Sequence, residues 1–192
     1  MDSFRKGAIL KGSLICIIGP DGVGKTTQAR LLQKALEKQG IFMNYVWIRW
    51  NHRASSPVSY THLTLPTVLA FLFKFRTKLC IGQSLISDRS VYDALVDLAV
   101  STRNPKLLDS FVGKAFLSFA SGTNIMLMAN SNVLRSRRED VREDRDLEQK
   151  ISFYNLISSR CGLAAIDTQA SIAEVHSAIM LAVMQDGKII HR

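Results

Sequence analysis

The run Gly19-Pro20-Asp21-Gly22-Val23-Gly24-Lys25-Thr26 satisfies the pattern G-x-x-x-x-G-K-[ST]. The apolar stretch Leu14-Ile15-Cys16-Ile17-Ile18 precedes it, and Thr27-Gln28-Ala29-Arg30-Leu31-Leu32 follows. A buried strand, a Gly-rich turn and a helix in that order leave few folds open, and they describe a phosphate-binding loop. Glycines let the backbone curl and aim its N–H groups inward, and the helix N-terminus adds partial positive charge. Gly19 and the run Asp21-Gly22-Val23-Gly24-Lys25-Thr26-Thr27 are therefore the candidate nucleotide-binding residues. Lys25 is placed to reach terminal phosphates, and the Thr26 hydroxyl to ligate Mg²⁺. The bland alternative, a Gly-rich turn with a chance Lys-Thr, is weakened by both correct flanks.

Five short apolar runs read as buried parallel strands: Leu14–Ile18, Tyr45–Arg49, Ser84–Asp88, Ile125–Ala129 and Ala164–Asp167. The first helix is expected from about Gly24 to Gly40, a residue suited to a left-handed cap. The last opens with Ser171-Ile172-Ala173-Glu174, a capping-box pattern, and continues with Ile172, Val175, Ile179 and Val183 at helical spacing. This alternation predicts a single three-layer α/β domain over residues 1–192, with a five-stranded parallel sheet. At 47% hydrophobic residues the chain can fill such a core. Pro57–Thr67 does not fit. It has no helical period and is similar to the peptide encoded when sequencing-adapter DNA is translated, which marks it as a non-native segment. The alternative is a native Pro-bounded loop.

Asp88-Arg89 ends the third run, the strand edge at which open parallel sheets bind ligands. Asp88 is a candidate to orient Mg²⁺, and Arg89 to fork onto a phosphate. Residues 135–150 are dense in charge, with Arg138, Arg142 and Arg145 at i, i+4 and i+7 on one expected helical face. They read either as a solvated, salt-bridged helix or as a lid, about 135–148, closing over phosphates. The net charge of +9 suits any phosphate-bearing partner without choosing one. No nucleic-acid-reading motif appears, and no apolar run is long enough to span a membrane. Three cysteines without metal spacing and no leader pattern point to a reducing, cytoplasmic setting.

Taken together, the loop Gly-Pro-Asp-Gly-Val-Gly-Lys-Thr-Thr-Gln (19–28), the Asp88-Arg89 pair and the Arg-rich run 137–145 resemble the thymidylate kinase family. The runs 45–50, 91–99 and Ile166-Asp167-Thr168 resemble the archaeal thymidylate-kinase-like branch of that family. The likeness covers the chain except roughly residues 54–80. It implies ATP and Mg²⁺ as cofactors and transfer of the γ-phosphoryl to a deoxynucleoside monophosphate, thymidine monophosphate in that family. It also implies that Lys25, Asp88, Arg138 and Arg142 serve catalysis, because the loop interior carries no arginine and the lid must supply one. Arg49 and Arg89 would hold the acceptor phosphate, and Thr26 and Asp88 the metal. The chain departs from the family where the acceptor base is read. The Ser and Ala-Tyr-Gln that follow Asp-Arg in bacterial and eukaryotic members are missing from Val91–Val100, and the base-reading helix would fall on the odd segment. The fourth strand ends in Met128-Ala129-Asn130 rather than an acid. Alternatives are a kinase for another small acceptor, or a non-catalytic nucleotide-binding switch. A homodimer is compatible with the chain.

Overall fold

Leu14–Ile18 (β1) is an uninterrupted apolar run, suited to a strand covered on both faces. It takes the centre of a five-stranded, all-parallel sheet ordered β2-β3-β1-β4-β5. The other strands are β2 (Asn44–Trp47), β3 (Leu85–Asp88), β4 (Thr123–Met128) and β5 (Ala165–Asp167). The computed structural model describes residues 12–48, 73, 75–118, 120 and 122–185. Arg49 and Pro57–Thr67 lie outside the described residues. The helices are α1 (Lys25–Lys38), α2 (described over 75–80), α3 (Val91–Ser101), α4 (Phe111–Ser118), α5 (Ser131–Arg137), α6 (Glu139–Arg142), α7 (Leu147–Cys161) and α8 (Ile172–Gln185).

Strand periodicity splits β1 between two cores. Ile15 and Ile17 face α1 and α8, meeting Leu32, Leu36, Val175 and Ile179. Cys16 and Ile18 face α3 and α7, meeting Leu95, Ala99, Tyr154 and Ile157. The chain is therefore a three-layer α/β fold with the sheet in the middle. Connection direction explains the layers. The link from β1 leads towards β2 at one edge, and the link from β3 leads past β1 to β4. Crossovers of one hand running in opposite directions land on opposite faces, opening a crevice at the C-terminal ends of the central strands.

The expected strands agree with those observed to within two residues at each end. Gly40 has φ 80°, closing α1 as its left-handed preference requires. At α8 the capping box forms: Ser171 N donates to Glu174 Oε2 (2.9 Å), and Glu174 N to Ser171 Oγ (3.3 Å).

The single helical face through Arg138, Arg142 and Arg145 does not form. α5 ends at Arg137, Arg138 is extended (φ −146°, ψ 133°), and α6 covers only Glu139–Arg142. The helix dipole disfavours Glu139 and Asp140 in a last turn and favours them in a first. The chain accordingly restarts at Glu139.

No helix among the described residues is long and apolar enough to cross a membrane. Cys16 is buried, and that burial pushes its thiol far above the ordinary range, with Asp93 adding to the shift. Cys80 is exposed. A thiol-reactive chromophore should label Cys80 within minutes and leave Cys16 unmodified until denaturant is added. Labelling of Cys16 in the folded protein would place it outside the core.

Candidate functional site

The loop leaves the C-terminal end of β1 and enters α1 through Gly24, whose φ of 95° is left-handed. Gly22 (φ 83°) shares that conformation, so the turn suits residues without a Cβ. Lys25 is buried. Its ammonium donates to Gly19 O (2.6 Å) and Pro20 O (2.9 Å) and lies 3.5 Å from Asp21 Oδ1.

The neighbouring strands β2 and β3 complete the site. Asp88 ends β3 with 1% exposure. Its Oδ2 accepts from Thr26 Oγ1 (2.5 Å) and Tyr45 OH (3.1 Å), while its Oδ1 is buried with no hydrogen-bond partner. A buried carboxylate oxygen left over beside a hydroxyl suits a divalent cation or its water. Among the described residues no group of three His, Cys, Asp or Glu forms a metal cage. A cation at Thr26 and Asp88 would have to complete its shell with water and ligand oxygens, as Mg²⁺ does on phosphates.

Arg89 has φ 81°, a conformation that costs a non-glycine residue about 1–2 kcal/mol. Its Nη2 meets Asp21 Oδ1 at 2.5 Å, and its Nη1 lies 3.9 Å from Asp97 Oδ2. Burial opposes ionisation of Asp21. The charges of Lys25, Arg89, Lys150 and Arg138 outweigh it and hold the carboxyl below the usual aspartate range. Lys25 and Arg89 thus touch this carboxylate directly, while Arg138 and Lys150, paired with Asp140 and Asp144, add only their charge.

These groups line a cavity of about 1210 Å³. One end is bounded by Tyr45 and Trp47 on β2, the other by Thr168, Ala170 and Ile172 after β5. The loop residues Asp21–Thr27, with Asp88, Arg89 and Arg138, all border it. Arg142 does not: it is exposed, and its carbonyl accepts from Arg135 Nη1 (2.6 Å). Arg138 forks onto Asp140 through Nε (2.9 Å) and Nη2 (2.5 Å).

Several cavity and supporting residues were not singled out from sequence. Arg137 donates to Thr168 Oγ1 (3.1 Å) and Thr168 O (2.5 Å), tying α5 to the β5–α8 turn. Asp93, fully buried, is more central. Its Oδ1 accepts from Gly19 N (3.3 Å) and Tyr154 OH (2.8 Å), and its Oδ2 from Ser90 N (2.7 Å). It joins the start of the loop, the N-terminus of α3 and α7. Burial pushes its carboxyl up, against Lys25, Arg89 and its hydrogen-bond donors. The Ser90-x-x-Asp93 spacing is a capping-box variant that sequence carries; the bonds to Gly19 and Tyr154 are long-range and invisible there. Asp93→Ala should destabilise the fold by about 3 kcal/mol, because it strands three buried donors. Tyr154→Phe, which removes one donor and strands none, should cost about 1 kcal/mol. Denaturant titration checks the order, and equal costs would refute it.

Neither a protein-family model nor a curated protein matches the chain.

Proposed function

We propose that the chain is an ATP-dependent nucleotide kinase that transfers the γ-phosphoryl group to a deoxynucleoside monophosphate. The observation that carries this reading is a cavity bordered by the phosphate-loop motif together with Lys25, Arg89, Arg138 and Lys150. The cavity's volume of about 1210 Å³ adds support, since it exceeds the roughly 300–1,000 Å³ of a single small-ligand site.

In this reading the loop amides and Lys25 hold the ATP phosphates, and the base lies towards Thr168, Ala170 and Ile172. The acceptor enters from the Tyr45 and Trp47 side, its phosphate facing Arg89. Mg²⁺ would be held by Thr26 and Asp88 with the phosphates, and would neutralise charge on the transferring group. No general base is required, because a monophosphate with a second pKa of roughly 6 is already an oxyanion at neutral pH. Catalysis is then positioning plus charge stabilisation. The three free cysteines accord with a reducing, cytoplasmic setting.

The test is whether ADP forms from Mg·ATP only when a monophosphate is supplied. ATP binding without any acceptor-dependent ADP would favour a nucleotide-binding switch instead. Rates with the thymidine, uridine, cytidine and guanosine deoxymonophosphates should lie within about tenfold of one another. Strong discrimination needs polar partners fixed on the base, and the chain departs from its look-alikes where those would stand. A preference for thymidine monophosphate at about 1–100 per second would overturn that expectation. Arg138→Ala should lower turnover by about tenfold, roughly 1.4 kcal/mol of barrier, with a smaller effect on ATP affinity. Arg142→Ala should turn over within about twofold of the parent, since its side chain lies off the cavity. Equal losses in the two variants would contradict this placement.

A further inference from the structure

α7 carries a lysine where its inward face should be apolar. Leu147, Tyr154 and Ile157 are buried, and Lys150 falls in their stripe, three residues after Leu147 and four before Tyr154. A charged side chain on a core-facing stripe is uncommon unless it is paired or used. Lys150 borders the same cavity as the phosphate loop. Its ammonium donates to Asp144 Oδ2 at 2.7 Å. Asp144 is itself fixed, because its Oδ1 accepts from Asp146 N at 3.0 Å. The carboxylate therefore holds the lysine at the cavity wall. Lys150 is also among the cations that keep Asp21 ionised, although it stands on a different helix from the loop.

The α5–α6 junction and α7 thus each bring a cation to the cavity, Arg138 and Lys150, while Arg142 between them is exposed and does not border it. We propose that Lys150 is a phosphate-contacting residue of this cavity, held ready by Asp144 and facing the same anion as Lys25 and Arg138. The assignment rests on the phosphate-site reading above. It names a residue that neither the loop motif nor the arginine pattern of residues 135–150 indicates. A lysine suits this place because its ammonium is a compact charge on a flexible stem that can move from a carboxylate to a phosphate oxygen.

Calorimetric titration of the full chain with inorganic tripolyphosphate, with Mg²⁺ present, tests the assignment whether or not the chain transfers a phosphoryl group. Lys150→Met should weaken tripolyphosphate binding about tenfold, or 1.4 kcal/mol. Lys150→Arg should restore most of it, and Arg142→Ala should stay within twofold of the parent. Asp144→Asn gives the opposite sign: freeing Lys150 from its carboxylate should tighten binding by about twofold or more. A purely structural ion pair predicts instead that Lys150→Met and Asp144→Asn lower the melting temperature alike and leave tripolyphosphate affinity unchanged. That result would overturn the assignment. If Lys150→Met fails to fold, Asp144→Asn decides by the same criterion. A parent that binds no tripolyphosphate also overturns it. A parent that binds tripolyphosphate with the expected order of variants, yet phosphorylates no monophosphate, refutes the kinase reading alone and leaves Lys150 assigned.

Discussion

Lys25→Met should yield a folded protein whose affinity for Mg·ATP has dropped by at least about a hundredfold, or 2.8 kcal/mol. Methionine keeps the length and apolar stem of the side chain and removes only the ammonium. That ammonium is buried between Gly19 O, Pro20 O and Asp21, so its charge is poorly screened by water. Hydrogen bonds from such a group to a phosphate are worth about 1.5–3 kcal/mol each. Turnover should fall further, by roughly a thousandfold, because removing one preorganised donor from a charge-developing site costs about 10²–10³. Calorimetry and initial rates measure the two effects, and a melting curve confirms that the fold persists. A variant that binds Mg·ATP as tightly as the parent would remove Lys25 from the site and with it the phosphate-loop reading.

Gly19→Ala should be the most destabilising single-methyl change in the loop. Gly19 has φ 142°, and an added Cβ would overlap the carbonyl oxygen of Leu127, lying 3.2 Å from its carbon and 3.3 Å from Val23 Cγ1. Leu127 cannot retreat. It is fully buried on β4, which is hydrogen-bonded to both β1 and β5. The backbone of Gly19 must shift instead, and its N–H then loses the carboxylate of Asp93. The expected cost is about 4 kcal/mol, at the upper end for single substitutions. For a chain of this size that lowers the melting temperature by roughly 8–16 °C. Gly24→Ala is the internal comparison. It shares a positive φ but has no atom within 4 Å of the new Cβ, so it should cost only the backbone term of about 1–2 kcal/mol. Equal melting temperatures for the two variants would show that close packing against β4 does not define the loop.

Asp93 and Lys150 show how far the chain could be read without its structure. Strands β1 to β5, the ends of α1 and the start of α8 were legible because their signals are local. An apolar run, a glycine at a helix end or a Ser-x-x-Glu spacing acts over a few residues, and the adjoining backbone responds directly. The loop was legible for the same reason, since its glycines, Lys25 and Thr26 lie within eight consecutive residues. The strand-end position of Asp88 and Arg89 followed from the third strand.

Tertiary structure decided which charges meet. Arginines 138, 142 and 145 fit one helical face by spacing, yet the acids at 139 and 140 begin a new helix and turn Arg142 outward. Lys150 looked like one of many charges in a balanced run. It reaches the cavity because Leu147 anchors the start of α7 in the core. Asp93 was not singled out by the sequence, and folding brought it to Gly19, 74 residues away. Local propensity depends on neighbours in the chain. The direction of a side chain at a site depends on how separate elements pack, and no short window of sequence contains that information.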